Sequence, residues 1–227
     1  MSTNGMGLET LSSAPMRSPF QDLLDNPSSQ IEGPSSITEL GESLALAPLF
    51  ERGLFELRGR NLAEAMSIHL SRPGEVLLHG DALIARLRPD HWLAVTRSRD
   101  AIPAFSDFTA DNRTGELTTL TDITHGRACL LLIGARATEV LTRLCGLDFS
   151  EAAFPHAHAA QASLAKVRSL IIRWDLNHLP AYFISVERSL ARYISEAILA
   201  EMEEYHPRIW KAAAGIEDWP TAQAAAT

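Results

Sequence analysis

The sequence predicts an α+β protein made of two pseudo-repeated βαβββα units, with antiparallel sheets and helices on one face. Three observations lead there. A strand that runs into a single glycine and then a helix occurs twice, at Leu57-Arg58-Gly59 and at Leu132-Ile133-Gly134, about 75 residues apart. Each junction is followed by three short apolar runs separated by turn residues. Those runs are too short and too interrupted for a doubly wound parallel sheet, whose strands are buried on both faces by crossover helices.

In the first unit, Leu54 to Gly59 is a strand, and Asn61 is an N-cap residue type in front of a helix over Leu62 to Leu70. Glu75 to His79 and Ala82 to Leu87 follow as strands. Arg88-Pro89-Asp90 is a tight turn, and His91 to Thr96 is the return strand of a hairpin. A helix near Ile102 to Phe108, with Pro103 in its first turn, closes the unit.

The second unit starts with a strand from Arg127 to Ile133 and a helix from Ala135 to Cys145. Val140, Leu141, Leu144 and Cys145 share one face of that helix, and Gly146 is its C-cap. Ala160 to Val167, Ser169 to Trp174 and Ala181 to Val186 are strands, with Asp175 to Pro180 turning between the last two. In the closing helix Leu190, Tyr193, Ile194, Ala197, Ile198 and Met202 fall at i, i+3, i+4, i+7 spacing, while Arg192, Glu196, Glu203 and Glu204 point outward.

The chain thus divides into an N-terminal segment 1–40, a first unit 41–118, a second unit 119–205 and a C-terminal tail 206–227. The Ser- and Pro-rich start, with Arg17 its only basic residue, reads as extended or disordered and without a core of its own. Within it Ser18 to Asp25 could form one capped turn that exposes Phe20, Leu23 and Leu24, which stays disordered or docks. Trp210 and Trp219, in an otherwise Ala-rich tail, suggest docking on the body of this chain or on a partner.

Composition narrows the classes of function. With 20 basic residues against 28 acidic and a formal charge of −8, neither nucleic acid nor an anionic membrane surface is an expected partner. The longest apolar runs, such as Ala128 to Ile133, fall far short of the roughly 20 residues that span a bilayer, and the start lacks a signal-peptide pattern. A cytoplasmic location is the simplest expectation. Cys129 and Cys145 both sit inside apolar patterns, which excludes a disulfide framework and a cysteine-rich zinc site.

No Gly-x-Gly-x-x-Gly and no Gly-x-x-x-x-Gly-Lys-Ser/Thr occurs, and one glycine before a helix is a turn requirement, not a phosphate cradle. Of the two lysines, Lys166 and Lys211, Lys166 could form a Schiff base in principle but reads as a snorkelling surface residue. His156-Ala157-His158 sets two imidazoles on one side of an extended segment. Asp148 and Glu151 do not complete a ligand spacing, so a solvent-facing loop is preferred over a metal site. Asp122-Ile123-Thr124-His125 could orient a catalytic imidazole by a carboxylate; with no nucleophile at a recognisable elbow, backbone capping by Asp122 and Thr124 is preferred. No catalytic residue and no metal ligand is assigned, and cofactor-binding residues stay unassigned.

The segment from Leu120 to Leu130 (Leu-Thr-Asp-Ile-Thr-His-Gly-Arg-Ala-Cys-Leu), then Gly134-Ala135-Arg136-Ala137, Leu144-Cys145-Gly146-Leu147-Asp148-Phe149 and Ala153-Phe154-Pro155, resembles the γ subunit of heterotetrameric sarcosine oxidase. So does the hairpin Ala85 to Val95. The resemblance implies an aminomethyltransferase-like fold, similar to the T protein of the glycine cleavage system. It also implies a subunit of a heterotetramer that oxidatively demethylates an N-methyl amino acid. In such complexes the α subunit carries NAD and the tetrahydrofolate site, FAD and FMN sit on and between α and β, and a small zinc-binding δ subunit completes the assembly. This chain alone is then expected to bind none of these cofactors and to act structurally or as a channel wall. Arg88, Thr124 and Gly146 depart from the family's usual Gly, Ser and Pro. N-methylglutamate dehydrogenase uses similar subunits and is not separated by these motifs. A stand-alone folate-binding one-carbon transferase is the alternative, with Asp122 or Asp148 to grip the pterin; no third β-rich domain fits after Tyr205.

Overall fold

Strands whose successive side chains are both apolar must be covered on both faces, and that requirement sets the layers of this chain. The computed structural model describes Phe20 and residues 44–49, 52–60, 62–66, 68–98, 118–205 and 208–209. The first half holds β1 (Ala45–Leu49), β2 (Gly53–Arg58), a short helix α1 (Leu62–Ala65), β3 (Val76–His79), β4 (Ala82–Arg88), β5 (His91–Thr96) and β6 (Thr119–Asp122). The second holds β7 (Arg127–Ile133), α2 (Ala137–Leu144), β8 (His158–Leu164), β9 (Val167–Arg173), β10 (Ala181–Glu187), α3 (Ala191–Met202) and β11 (Arg208–Ile209).

The strands form a six-stranded sheet in the order β11-β1-β7-β10-β9-β8 and a five-stranded sheet in the order β3-β4-β5-β2-β6. Only β1 and β11 are parallel among the described pairs. The spatial run β3-β4-β5-β2 repeats as β8-β9-β10-β7, so the βαβββ part of the order read from the sequence is doubled in the structure. The strands that lead into each repeat are exchanged. β1 precedes β2 but pairs with β7, from Ala45↔Ile133 to Leu49↔Cys129. β6 precedes β7 but pairs with β2, from Phe55↔Asp122 to Arg58↔Thr119.

Three apolar layers result. Ala47, Leu54, Leu83, Leu93, Leu131, Leu170 and Phe183 pack between the two sheets. Leu130, Leu132, Tyr182 and Ile184, on the other face of the six-stranded sheet, lie under Val140 and Leu141 of α2 and Ile194 and Ile198 of α3. Phe55, Leu57, Ile84 and Trp92 lie under Leu62, Ile68 and Leu70.

Several predicted boundaries change. The helix over Leu62 to Leu70 stops at Ala65. Ile68 N–H bonds Ala63 O at 2.9 Å, and the chain then runs out so that Ile68 and Leu70 cover the five-stranded sheet. The helix predicted from Ala135 to Cys145 spans Ala137–Leu144, and extended Cys145, not Gly146, ends it by bridging to Leu164. Val167 opens β9 instead of closing β8. Ala165 and Lys166 make a two-residue turn with φ of 45° and 69°, the primed geometry that hairpins favour, without the usual glycine. Phe20 is buried among the residues under α2 and α3, so it docks on its own chain. The rest of the turn Ser18 to Asp25, the helix Ile102 to Phe108, and Trp210 and Trp219 lie outside the described residues.

Candidate functional site

Along one margin of the layer between the sheets, the inward-facing series of side chains on six of the strands turn polar. On β2 the series runs Leu54, Glu56, Arg58, and on β5 it runs Val95, Leu93, His91. On β7 it ends Leu131, Cys129, Arg127; on β10, Phe183, Ser185, Glu187; on β9, Ile172, Leu170, Arg168; on β8, Ala159, Gln161. Because the side-chain period of a strand is two, these residues all face the partner sheet. Their polar ends line an inner chamber of about 230 Å³ that continues into an outer cleft of about 860 Å³, where Gly126, Arg188 and Ser189 join Glu56, Ile123, Arg127 and Glu187.

Glu56 is the centre of its charge network. Its Oε1 lies 2.9 Å from Arg58 Nη2 and 2.8 Å from His91 Nε2. Burial pushes its carboxyl upward, but Arg58, and then His91, outweigh that and hold it below the usual carboxylate range. His91 is buried, and burial, together with the nearby guanidinium of Arg58, holds its imidazole below the ordinary value against the pull of Glu56. Nε2 is engaged by Glu56, whereas the buried Nδ1 has no hydrogen-bond partner. Across the chamber, Arg127 donates through Nε to Ser185 Oγ at 3.2 Å and through Nη2 to Ser185 O at 3.1 Å. Burial lowers its affinity for its proton, and no carboxylate lies within ion-pair distance among the described residues. Arg168 Nη2 donates to Gln161 Oε1 at 3.0 Å.

Residues 67–210, more than half of the chain, match the profile of the GCVT N-terminal domain. The chain belongs to the GCVT N-terminal domain family. Its fold is the aminomethyltransferase-like fold expected from the sequence. A chain of heterotetrameric sarcosine oxidase from Corynebacterium sp. U-96, in complex with pyrrole 2-carboxylate, superposes with a TM-score of 0.67 at 22% identity, over 83% of this chain and 95% of that one. The glycine cleavage system aminomethyltransferase T from Bartonella henselae superposes with a TM-score of 0.61 at 16% identity, over 78% of this chain and 50% of its own length. Comparison with curated protein sequences gives no match.

The residues singled out in the sequence lie elsewhere in this GCVT domain. Asp122 Oδ1 accepts from Thr124 N–H at 2.8 Å, and Thr124 Oγ1 accepts from Leu54 N–H at 2.9 Å, so both cap backbone while His125 is exposed. Asp148 Oδ1 accepts from Ser150 N–H at 2.9 Å. His156 and His158 part company because Ala157, at φ 59°, breaks the extended segment. His156 Nδ1 accepts from Asp175 N–H at 3.0 Å, and His158 stacks edge-on to Phe154. Glu151 pairs with Arg173 at 2.6 Å. Lys166 is exposed in the β8–β9 turn. Cys129 and Cys145 are buried and unbridged, and burial pushes the Cys129 thiol up to about 11, far from a reactive thiolate. Among the described residues no group of three His, Cys, Asp or Glu is placed to hold a metal, and no helix is long and apolar enough to cross a membrane.

Tetrahydrofolate, implied for the wider group by the resemblance, is too large for the inner chamber alone. A ligand of that size takes a pocket of roughly 300 to 1,000 Å³ that buries most of it, whereas the inner chamber is about 230 Å³ and the outer cleft is open to solvent. Asp122 and Asp148 are exposed, bonded to backbone and absent from its lining. The chamber residues themselves were not picked out from the sequence, though the signal was there: an inward series that changes from apolar to charged at the same end of neighbouring strands.

Proposed function

We propose that this chain is the γ-type subunit of a sarcosine oxidase-like heterotetramer, a flavoprotein that oxidatively demethylates an N-methyl amino acid. In this reading it has a structural or channel-lining role beside α, β and δ subunits. FAD, FMN, NAD and tetrahydrofolate are carried by the other chains. The observation that carries the reading is the agreement in fold over 95% of a chain from a heterotetrameric sarcosine oxidase, against half of an aminomethyltransferase chain. The capped Asp122, the insulated Cys129 thiol and the exposed His125 support a role without a reacting group of its own.

The test is co-expression with the neighbouring genes. A tagged chain should bring down a coloured complex with a flavin spectrum, and the same chain purified alone should be colourless and turn over neither sarcosine nor N-methylglutamate. Turnover by the isolated chain would sink the proposal. Activity of the complex on sarcosine or on N-methylglutamate decides between the two related assemblies. Membership of the GCVT family favours a second reading, a folate-binding one-carbon transfer protein acting alone; tight binding of tetrahydrofolate by the isolated chain would put it first.

A further inference from the structure

We propose that the inner chamber between the sheets is a binding site for a small zwitterionic carboxylate of amino-acid size. The inference goes beyond the subunit reading and does not rest on it. Arg127 and Arg168 stand on adjacent sides of the chamber, and their partners are the neutral Ser185 and Gln161. A guanidinium held in place by neutral acceptors, with no carboxylate on it, is prepared for a carboxylate brought by a ligand.

His91 is the second, independent sign. It is 3% exposed and lines the chamber; Nε2 lies against Glu56, but buried Nδ1 has no hydrogen-bond partner. Buried polar atoms are left in that state at sites where something else completes them. The acids decide the rest of the ligand. Glu56 and Glu187 line the same space, so a multiply charged anion such as phosphate would meet two carboxylates, whereas the ammonium end of a zwitterion would be held by them. The inner volume of about 230 Å³ admits a molecule of amino-acid size.

The test titrates the full-length chain with glycine, N-methylglycine, acetate, methylammonium and inorganic phosphate, following the His91 ring signals by NMR. Glycine or N-methylglycine should saturate with a Kd of about 1 mM or below, and acetate and methylammonium should each bind at least about 10-fold more weakly. Arg127→Met and Arg168→Gln should each weaken the zwitterion by about 10-fold or more, and Arg192→Gln on the surface of α3 should change nothing. If Arg127→Met does not fold, Arg168→Gln, at an exposed position, carries the test by itself. An absence of saturable shifts, phosphate binding tighter than either zwitterion, or unchanged affinity in Arg168→Gln would each overturn the assignment.

Discussion

Along β10 the side chains between the sheets run Ala181, Phe183, Ser185, Glu187, and this one strand connects two margins of opposite character. At the Ala181 margin, Trp174, Leu176, Leu179 and Ala157 close the layer. There the chain also ties its two sheets together by backbone: Val76 N–H bonds Ala157 O at 2.9 Å and Ala159 N–H bonds Gly74 O at 2.7 Å. At the Glu187 margin the same strands present arginines, glutamates and a buried histidine around open space. Apolar packing and open polar space are therefore separated within a single layer. Burial of apolar area clamps one margin, and the other is left free for charged groups, whose desolvation would weaken a closed core.

The comparison can be broken most directly by paired substitutions. Leu131→Ala, fully buried between the sheets, should cost about 2 to 5 kcal/mol in urea unfolding, and Arg168→Gln at the open margin about 0.5 kcal/mol or less. Equal costs would show that the chamber is structural after all. Gly74→Ala tests the clamp: at φ 95°, with an added Cβ only 2.6 Å from the His158 ring, it should lose about 1 to 3 kcal/mol. Thr124→Val removes the hydroxyl that accepts from Leu54 N–H. That should cost about 1 to 2 kcal/mol, read as a lower urea midpoint with unchanged slope.

The smallest effect is a pH slope. The folded His91 has its proton affinity depressed below the unfolded value of 6.5, by burial first and then by Arg58 and Arg88 against Glu56. The unfolded chain thus binds more protons, so this contribution is present above about pH 6.5 and is lost as pH falls through the folded value. Glu56, held below 4.5, adds loss in the same direction at lower pH. His158 at the closed margin is also depressed by burial. Thermal unfolding from pH 7 to 5 should fall for the native chain, and comparison of His91→Gln with His158→Gln apportions the slope. If His91→Gln leaves the slope unchanged, the open margin contributes nothing to it.

Much of this architecture is legible in the residues. The two strand-glycine-helix junctions reappear as β2–α1 and β7–α2, and Gly134 takes the φ of 133° that only glycine adopts readily. The apolar stripe of α3 buries Ile194, Ile198 and Met202, although Tyr193 and Leu190 stay outside. The exchange of β1 and β6 is not legible, because pairing between strands far apart in sequence leaves no local pattern; Pro48 also disguises β1 as a loop. The Ala165-Lys166 turn was hidden by residues that rarely adopt positive φ. The chamber was missed for a different reason. Glu56, Arg127 and Glu187 each read as an ordinary polar end of a strand, and only the stacking of the sheets brings them face to face.

The exchange of leading strands also bears on how the chain is made. As it leaves the ribosome, β1 emerges about 80 residues or more before its partner β7, and it must wait as an apolar segment with both edges open. Neither half can finish its sheet from its own residues. Separately expressed halves would therefore be poor folding units, and a chaperone that shields Ala45–Leu49 until Ile133 has been synthesised would cover the interval in which β1 lacks its partner strand.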